Sequence, residues 1–377
     1  MLERERRDNA CPGAPRVRFR QLSRIPEPLV RAGSVFLIVA AGIPLILRVM
    51  HFDAGPAIAA LLRGSIGSGY AIASGTLVRA TPVILTGLAV AVAFRAGVFN
   101  IGAEGQFLAG AAVATAVVAF PALAHSRAAP WAALIAGAIG GGCWAGIAAI
   151  LRTRFRVLEV ISTILLNFIA LYAVGYLVHG PLQEPLHIYP QSSTIDPIAR
   201  LPRVLPASRL HAGFIIAVAA AACAWFVLRF SAAGFRMRAV GANPNAARVA
   251  GQIDVARVTT QAFVASGAIA GLAGAIEVTG VTFALYENIS PGYGYTGIAV
   301  ALLARLSPAG VIASGLLFGA LEAGAAAMQR DAGVPSVIVW IVEAIVILCL
   351  IIAWPPPGLS MRSARRARSA EALEARA

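Results

Sequence analysis

Residues 234–251 read GFRMRAVGANPNAARVAG, a basic, glycine-punctuated stretch between two long apolar runs at about 212–230 and 258–282. Each run approaches the roughly 20 apolar residues that a membrane-spanning helix needs. Two such runs joined by a polar segment with its own helix signals predict a helical membrane protein that carries a structured element outside the bilayer.

The composition of the whole chain supports a membrane protein. It is 59% hydrophobic and 13% charged, with a mean hydropathy of +0.78, whereas soluble domains have about 25% charged residues. The apolar runs predict an all-α polytopic fold with about ten transmembrane helices. They lie at about 33–50, 70–94, 98–120, 131–151, 158–180, 212–230, 258–282, 293–305, 308–328 and 335–353.

The arginines predict the orientation of the chain, because basic residues beside spans stay in the cytoplasm. With the N-terminus inside, 23 of the 31 basic residues fall on cytoplasmic segments. Both termini and residues 231–257, called here the basic loop, are therefore expected in the cytoplasm. The predicted divisions are a basic N-terminal segment (1–31), a transmembrane domain (32–354) with an outer loop (181–211), and a basic tail (355–377).

Several functional classes are excluded by the sequence. All the basic residues are Arg, so the chain lacks the lysine of a nucleotide-binding P-loop. The four cysteines are scattered without a CxxC pair, and no HExxH or GxSxG motif occurs. We therefore predict no catalytic residues, metal or cofactor. The lipid bilayer is a partner, but no nucleic-acid recognition module is visible.

The outer loop is expected to be irregular because it holds six prolines, which cannot continue a helix. All five histidines fall at or near the outer face on this topology. We assign them no metal-binding or pH-sensing role, because histidines at a polar interface are usually incidental.

The basic loop contains the signals of a short helix. Asn243 suits the N-cap, Pro244 suits the first helical position, and Gly251 suits a left-handed C-terminal cap, which predicts a helix over 244–250. Two isolated turns are marginally stable in water, so the membrane domain or a partner must hold them. Arginines around this helix could pair with carboxylates of a partner. They are Arg236, Arg238 and Arg248.

Polar residues inside predicted spans mark either helix packing or a pathway, because they are costly in lipid. Asn100, Glu104 and Gln106 lie in a glycine-rich start to an apolar span, and a similar opening at 291–297 contains Tyr293. Both interpretations, packing near the inner face and contact with a solute, stay open here. Other intramembrane acids are Glu277, Glu322 and Glu343.

A second polar group forms a stripe at helical spacing: Glu159, Thr163 and Asn167 are each four residues apart. The stripe should avoid lipid and face either the bundle or a pore. An uncharged, hydroxyl-rich solute would suit a lining of Asn, Ser and Thr better than a row of charges.

Together with the basic loop, three segments resemble the permease subunit of a bacterial ABC importer of the branched-chain amino acid and ribose type, in its nucleoside or simple-sugar subgroup. They are 95–106 (RAGVFNIGAEGQ), 158–167 (LEVISTILLN) and 290–304 (SPGYGYTGIAVALLA). The resemblance implies that the short helix is a coupling helix docking on an ATP-binding subunit. The residues carrying this implication are Gly234, Arg236, Arg238, Gly241, Asn243, Pro244, Ala246, Ala247 and Gly251.

The same resemblance implies half of a translocation pathway for a nucleoside or simple sugar in the bacterial cytoplasmic (inner) membrane. The implied partners are an ATP-binding subunit in two copies or as a fused pair, a second homologous permease, and an extracytoplasmic substrate-binding lipoprotein. The alternative is a proton-coupled secondary transporter of a small polar solute, with Glu104 or Glu159 carrying the proton.

Overall fold

The computed structural model describes residues 47–335 together with residues 42, 44, 45, 337, 340, 341, 344 and 345. The predicted N-terminal segment, Glu343, the basic tail and most of the first and tenth predicted spans lie outside the described residues. Within them the chain is mostly helical and forms no sheet, only isolated bridges such as Gln183 with Ser192.

The numbered helices follow one another along the described chain. They are α1 (Ala54–Ile66), α2 (Leu77–Arg95), α3 (Ala103–Ala119), α4 (Ala129–Phe155), α5 (Glu159–Val178), α6 (Gly213–Phe230), α7 (Ala232–Ala242), α8 (Pro244–Gly251), α9 (Val255–Glu277), α10 (Tyr293–Leu303) and α11 (Pro308–Ala332). A π-helical segment, Ala71–Thr76, leads into α2, and a second one, Val278–Thr282, extends α9.

In the part of the chain that the structure describes, six helices are long and apolar enough to cross a membrane. They are Ala71–Arg95, Ala129–Phe155, Glu159–Val178, Gly213–Phe230, Val255–Thr282 and Pro308–Ala332. Two further predicted spans are the shorter helices α3 and α10, with 17 and 11 residues. The sequence reasoning missed α1, which is capped by Asp53 and has 13 residues, too few for a span.

The centre of the bundle is α9, which packs against α4, α3 and α2. Glycines let these helices approach closely, as small residues do in membrane proteins. A side chain at Gly271 of α9 would overlap the backbone of Gly137 and Gly141 in α4, and one at Gly274 would overlap that of Phe107 in α3. The core is therefore held by backbone contact as much as by large apolar side chains.

The outer loop and the basic loop lie at opposite ends of α6, whose 18 residues span about 27 Å. The outer loop is irregular, as predicted, apart from the short 3₁₀ helix Pro197–Ala199. Its backbone is fastened to the end of α9 and the loop beyond: the Leu201 N–H donates to the Thr279 carbonyl (3.0 Å) and the Ser192 N–H to the Leu285 carbonyl (2.7 Å).

Candidate functional site

The basic loop folds into two helices, α7 and α8, where the sequence predicted one. Ser231 caps α7 by accepting a hydrogen bond from the Gly234 N–H (3.0 Å). The predicted cap of α8 is confirmed, because the Asn243 side chain accepts from the N–H groups of Asn245 (3.1 Å) and Ala246 (3.0 Å). Pro244 occupies the first helical position, as predicted.

The predicted C-terminal cap of α8 is wrong by one residue. Gly251 is the last residue of the helix, and Gln252 adopts the left-handed conformation with φ 47°. The helix ends with a hydrogen bond from the Ile253 N–H to the Ala247 carbonyl (3.2 Å). Gly251 instead leaves room for Ile253, whose side chain lies 3.2 Å from where a β-carbon at position 251 would be.

Most of α8 is exposed, and only Ala247 among its described side chains is buried. Arg236 and Arg248 are exposed, whereas Arg238 is half-buried with one guanidinium nitrogen that has no hydrogen-bond partner in the described chain. The sequence reasoning missed two exposed apolar side chains, Phe235 (61%) and Val249 (83%). Their apolar character within a polar loop was the signal for them in the sequence.

The basic loop is joined to the transmembrane core by direct backbone contact. A side chain at Gly241, near the end of α7, would overlap the carbonyl of Arg95, and Gly97 lies against it with φ +71°. Arg95 also donates from Nε to the Leu306 carbonyl (3.1 Å). The turn after α2 therefore touches both the basic loop and the end of α10.

Asn100 and Gln106 form a closed, buried polar cluster. The Asn100 Nδ2 donates to Gln106 Oε1 (3.0 Å) and Ser266 Oγ (2.9 Å), and Gln106 Nε2 donates back to Asn100 Oδ1 (3.0 Å). Ser266 in turn donates to the Ala89 carbonyl (2.7 Å). The cluster joins the start of α3 and the middle of α9 to α2, which supports the helix-packing interpretation of these residues.

The two glycine-rich openings noted in the sequence meet in the structure. Glu104 in the first turn of α3 accepts a hydrogen bond at Oε2 from the Gly294 N–H at the start of α10 (2.7 Å). A carboxylate suits a helix N-terminus, where N–H groups lack helical partners. Gly294 has to be glycine because a β-carbon would overlap the Glu104 backbone. Tyr293 packs its ring against Phe107, 5.7 Å between centroids.

The polar stripe of α5 faces the bundle. Asn167 accepts from the Gly105 N–H (2.8 Å) and donates to the Ile101 carbonyl (3.0 Å), while Thr163 is fully buried. Glu159 pairs with Arg152 at the end of α4 (2.9 Å), a partner that the sequence reasoning did not identify. These contacts serve the packing of α5 on α3 and α4.

A partly open cavity of about 570 Å³ lies on the side of the molecule that carries the outer loop. Of the predicted site residues, only Tyr293 lines it, and charged side chains contribute much of the rest. Its charged and phenolic lining residues are Arg63, Arg79, Arg209, Arg330, Glu277, Asp331, Tyr70 and Tyr293. The sequence had marked Glu277 as an intramembrane acid but had not grouped it with these arginines.

Residues 72–354 match the family described as branched-chain amino acid transport system / permease component. The chain belongs to this family. Its membrane-spanning helices and its family together make the permease a multi-pass membrane protein and a transport subunit, not an enzyme, as the sequence predicted. Permeases of this kind work with an ATP-binding subunit, another permease and a substrate-binding protein.

Named relatives resemble the permease along most of its length. It is 41% identical to the guanosine ABC transporter permease protein NupP of Bacillus subtilis, over 87% of this chain and 93% of NupP. It is also 41% identical to the glucose ABC transporter permease protein TsgB13 of Haloferax volcanii, over 73% and 74%. The nucleoside ABC transporter permease protein NupB of Lactococcus lactis is 34% identical, over 76% and 80%. No solved structure shows significant similarity to the chain.

These relatives favour an ATP-driven importer over the proton-coupled alternative. The local contacts agree with them, because Glu104 binds a backbone N–H of α10 and Glu159 binds Arg152. Both acids that the alternative needed as proton carriers have structural partners.

Proposed function

We propose that the permease forms half of the translocation pathway of an ATP-driven importer for a nucleoside or a simple sugar, in the bacterial cytoplasmic (inner) membrane. Support comes from the named relatives, which are permeases for guanosine, nucleosides and glucose. The other half of the pathway is a second homologous permease, and an extracytoplasmic lipoprotein delivers the solute.

The observation that carries this proposal is the exposed helix α8. A two-turn helix is marginally stable alone, yet here Asn243 caps it, Ala247 anchors it in an apolar cluster, and its remaining described side chains stay uncovered. An exposed helix on a rigid support suits a docking surface for another chain. We assign that role to the ATP-binding subunit, present as two copies or as a fused pair.

Within the basic loop the proposed roles differ by residue. Gly234 and Gly241 permit close backbone contact, because a side chain at either would overlap backbone atoms. Arg236 and Arg248 are exposed and available for carboxylates of the ATP-binding subunit, whereas the unpaired nitrogen of Arg238 is buried. Ala246 and Val249 offer apolar contact from α8 itself. This surface is expected in the cytoplasm, with ten spans and both termini on the same side.

The test is a paired substitution, Asn243→Ala with Pro244→Gly, in the importer complex reconstituted in vesicles. Loss of an N-cap costs about 1 kcal/mol, enough to unfold a helix this short without affecting the bundle. We expect ATP-driven uptake of radiolabelled guanosine or glucose to fall at least several-fold while membrane insertion stays unchanged.

The matched control is Asp53→Ala, which removes the N-cap of α1, distant from the basic loop. Its side chain accepts from the Gly55 N–H (3.1 Å) in the same way. Uptake should remain close to that of the unaltered complex. Unchanged coupling of ATP hydrolysis to uptake in the Asn243/Pro244 variant would contradict the docking role, and uptake driven by a proton gradient alone would contradict the importer.

A further inference from the structure

The cavity on the outer-loop side has an exposed rim and a buried floor. At the rim, Tyr70 is 62% exposed, and the side chains of Arg63 and Asp331, 4.0 Å apart, are 68% and 45% exposed. At the floor, Glu277 is only 4% exposed and Tyr293 only 8%. A carboxyl and a phenol therefore lie at the bottom of a recess that solvent-exposed groups surround.

Glu277 differs from Glu104, the other buried acid among the described residues. Glu104 accepts a backbone hydrogen bond, but the Glu277 carboxyl forms no hydrogen bond or ion pair with any residue that the structure describes. Arg79 and Arg209 line the same cavity and act on it electrostatically without bonding to it. Since buried polar groups are nearly always hydrogen-bonded, a ligand in the cavity would supply the partner that the described residues do not.

The backbone around the cavity is also unusual. Both π-helical segments of the described chain line it, through Ala71, Ser74 and Gly75 on one side and Val281 on the other. Glu277 is the residue immediately before the second segment. Such π-helical turns are rare and are frequently found at functional sites, so the floor combines an unpaired carboxyl with an irregular backbone.

The chemistry of the lining limits the ligand. A carboxyl accepts hydrogen bonds and a guanidinium donates them, so a group that does both would satisfy each side. Hydroxyls have this property, and two neighbouring hydroxyls on a ring can donate to the two oxygens of one carboxylate. Ribonucleosides and glucose both carry neighbouring ring hydroxyls, and relatives named for guanosine and for glucose are each 41% identical to this chain over the matched residues.

We propose that this cavity is a solute site in which Glu277 binds neighbouring hydroxyls of a sugar ring and Arg79 donates to the same ring. The inference rests on the proposed function and adds to it a site and the part of the solute that is recognised. A volume of about 570 Å³ falls in the range of small-molecule sites.

The test uses the complete importer complex in vesicles, with the four cysteines of this chain replaced by serine and Val281→Cys added as a reporter. Val281 lines the cavity and is half-buried. A membrane-impermeant thiol reagent is added from the outer-loop side, and labelling is measured with uridine, with 2′,3′-dideoxyuridine, with glucose and with no solute. We expect uridine and glucose to slow labelling at least threefold and the dideoxy compound to have little effect.

Adding Glu277→Gln should raise the uridine concentration needed for half-protection by about tenfold or more, since the amide replaces one of the two acceptor oxygens with a donor and a ring hydroxyl loses its acceptor. The matched control is Glu287→Gln, the same change at an exposed acid that does not line the cavity, and it should leave protection unchanged. Equal protection by uridine and its dideoxy analogue, or unchanged protection in Glu277→Gln, would overturn the site. Absence of labelling from the outer-loop side would overturn it as well.

Uptake measured in the same vesicles separates the two proposals. If ATP-driven uptake is present but Glu277→Gln leaves protection unchanged, the solute site fails and the importer stands. If neither the unaltered chain nor the cysteine variant with Glu277 intact shows ATP-driven uptake of any of these solutes, the proposed function itself fails.

Discussion

Single polar side chains determine how the helix ends meet inside this bundle. Asn167 alone satisfies the Gly105 N–H and the Ile101 carbonyl, groups near a helix start that would otherwise lack partners in an apolar interior. Leaving one such group unpaired costs about 1–3 kcal/mol. The spacing of Glu159, Thr163 and Asn167 predicted their common face, but not their partners, because those lie on other helices far away in sequence.

His211 shows where reasoning from sequence failed at this scale. It lies at the end of the outer loop, but it is buried, with its ring packed between Gly213 and Gly280. Nδ1 accepts from the Gly213 N–H (3.2 Å), and Nε2 has no partner among the described residues. Burial lowers the pKa of His211 to about 4, with a smaller contribution from Arg209.

This burial predicts loss of stability in acid. An ordinary histidine has a pKa near 6.5, so below that pH the unfolded chain binds a proton that the folded chain refuses until about pH 4. The contribution of neutral His211 to the free energy of unfolding is therefore complete above pH 6.5. It declines as the pH falls toward 4, by roughly 1 kcal/mol at pH 5.5. Thermal unfolding in detergent should show a lower Tm at pH 5.5 than at pH 7.5.

His211→Asn should reduce this pH dependence, whatever its effect on stability at pH 7.5. The exposed His187 provides the control, and His187→Asn should leave the difference in Tm between the two pH values unchanged. An equal acid-induced fall in Tm in the His211 variant would show that other groups cause it.

At the scale of the element, the positions of the long helices were predictable and their irregularities were not. The predicted runs at 131–151 and 212–230 became Ala129–Phe155 and Gly213–Phe230, because the length of an apolar run is set by the thickness of the bilayer. Three features gave no such signal. They are the short α1, the additional helix α7 of the basic loop, and the π-helical segments, which depend on contacts with neighbouring elements.

The packing of α4 on α9 gives a test within one helix. At Gly141 a β-carbon would overlap the carbonyl of Gly267, whereas Gly146 has open space around it. Replacing either by alanine raises intrinsic helix propensity by about 1 kcal/mol. We expect Gly141→Ala to lower the Tm of the purified complex by several degrees and Gly146→Ala to leave it unchanged or raise it. Equal Tm values for both variants would contradict the close backbone contact.

At the scale of the whole molecule, hydropathy could not show which helices are central. Lipid and the protein interior are equally apolar. The Ala71–Arg95 and Gly213–Phe230 helices therefore have similar mean hydropathies, 1.9 and 2.1. Nevertheless, 83% of the apolar window of the first helix is buried within this chain, against 22% of that of the second. The exposed faces are available to lipid or to the second permease. The grouping of Glu277 with Arg79 and Arg209 depends on the same unpredictable arrangement.

The orientation of the molecule in the membrane can be tested by thiol labelling from each side. In a cysteine-free background, Val249→Cys in α8 and Leu186→Cys in the outer loop place one exposed reporter on each side, since their side chains are 83% and 76% exposed. An impermeant thiol reagent should label Leu186→Cys in intact cells and Val249→Cys only after the membrane is opened. The reverse pattern would contradict the arginine-based orientation.

The contact between Gly241 and the turn at Arg95 and Gly97 has a mechanical consequence. The two backbones are in direct contact there, with no rotatable side chain between them. Neither segment can therefore approach the other more closely, and close-packed interiors transmit strain. A displacement of α7 of even a fraction of an ångström must move the turn. The chain leads from the turn to Asn100 and then to Glu104, whose hydrogen bond to Gly294 joins the N-terminal ends of α3 and α10. Close contacts thus connect the basic loop to the starts of two helices within the bundle.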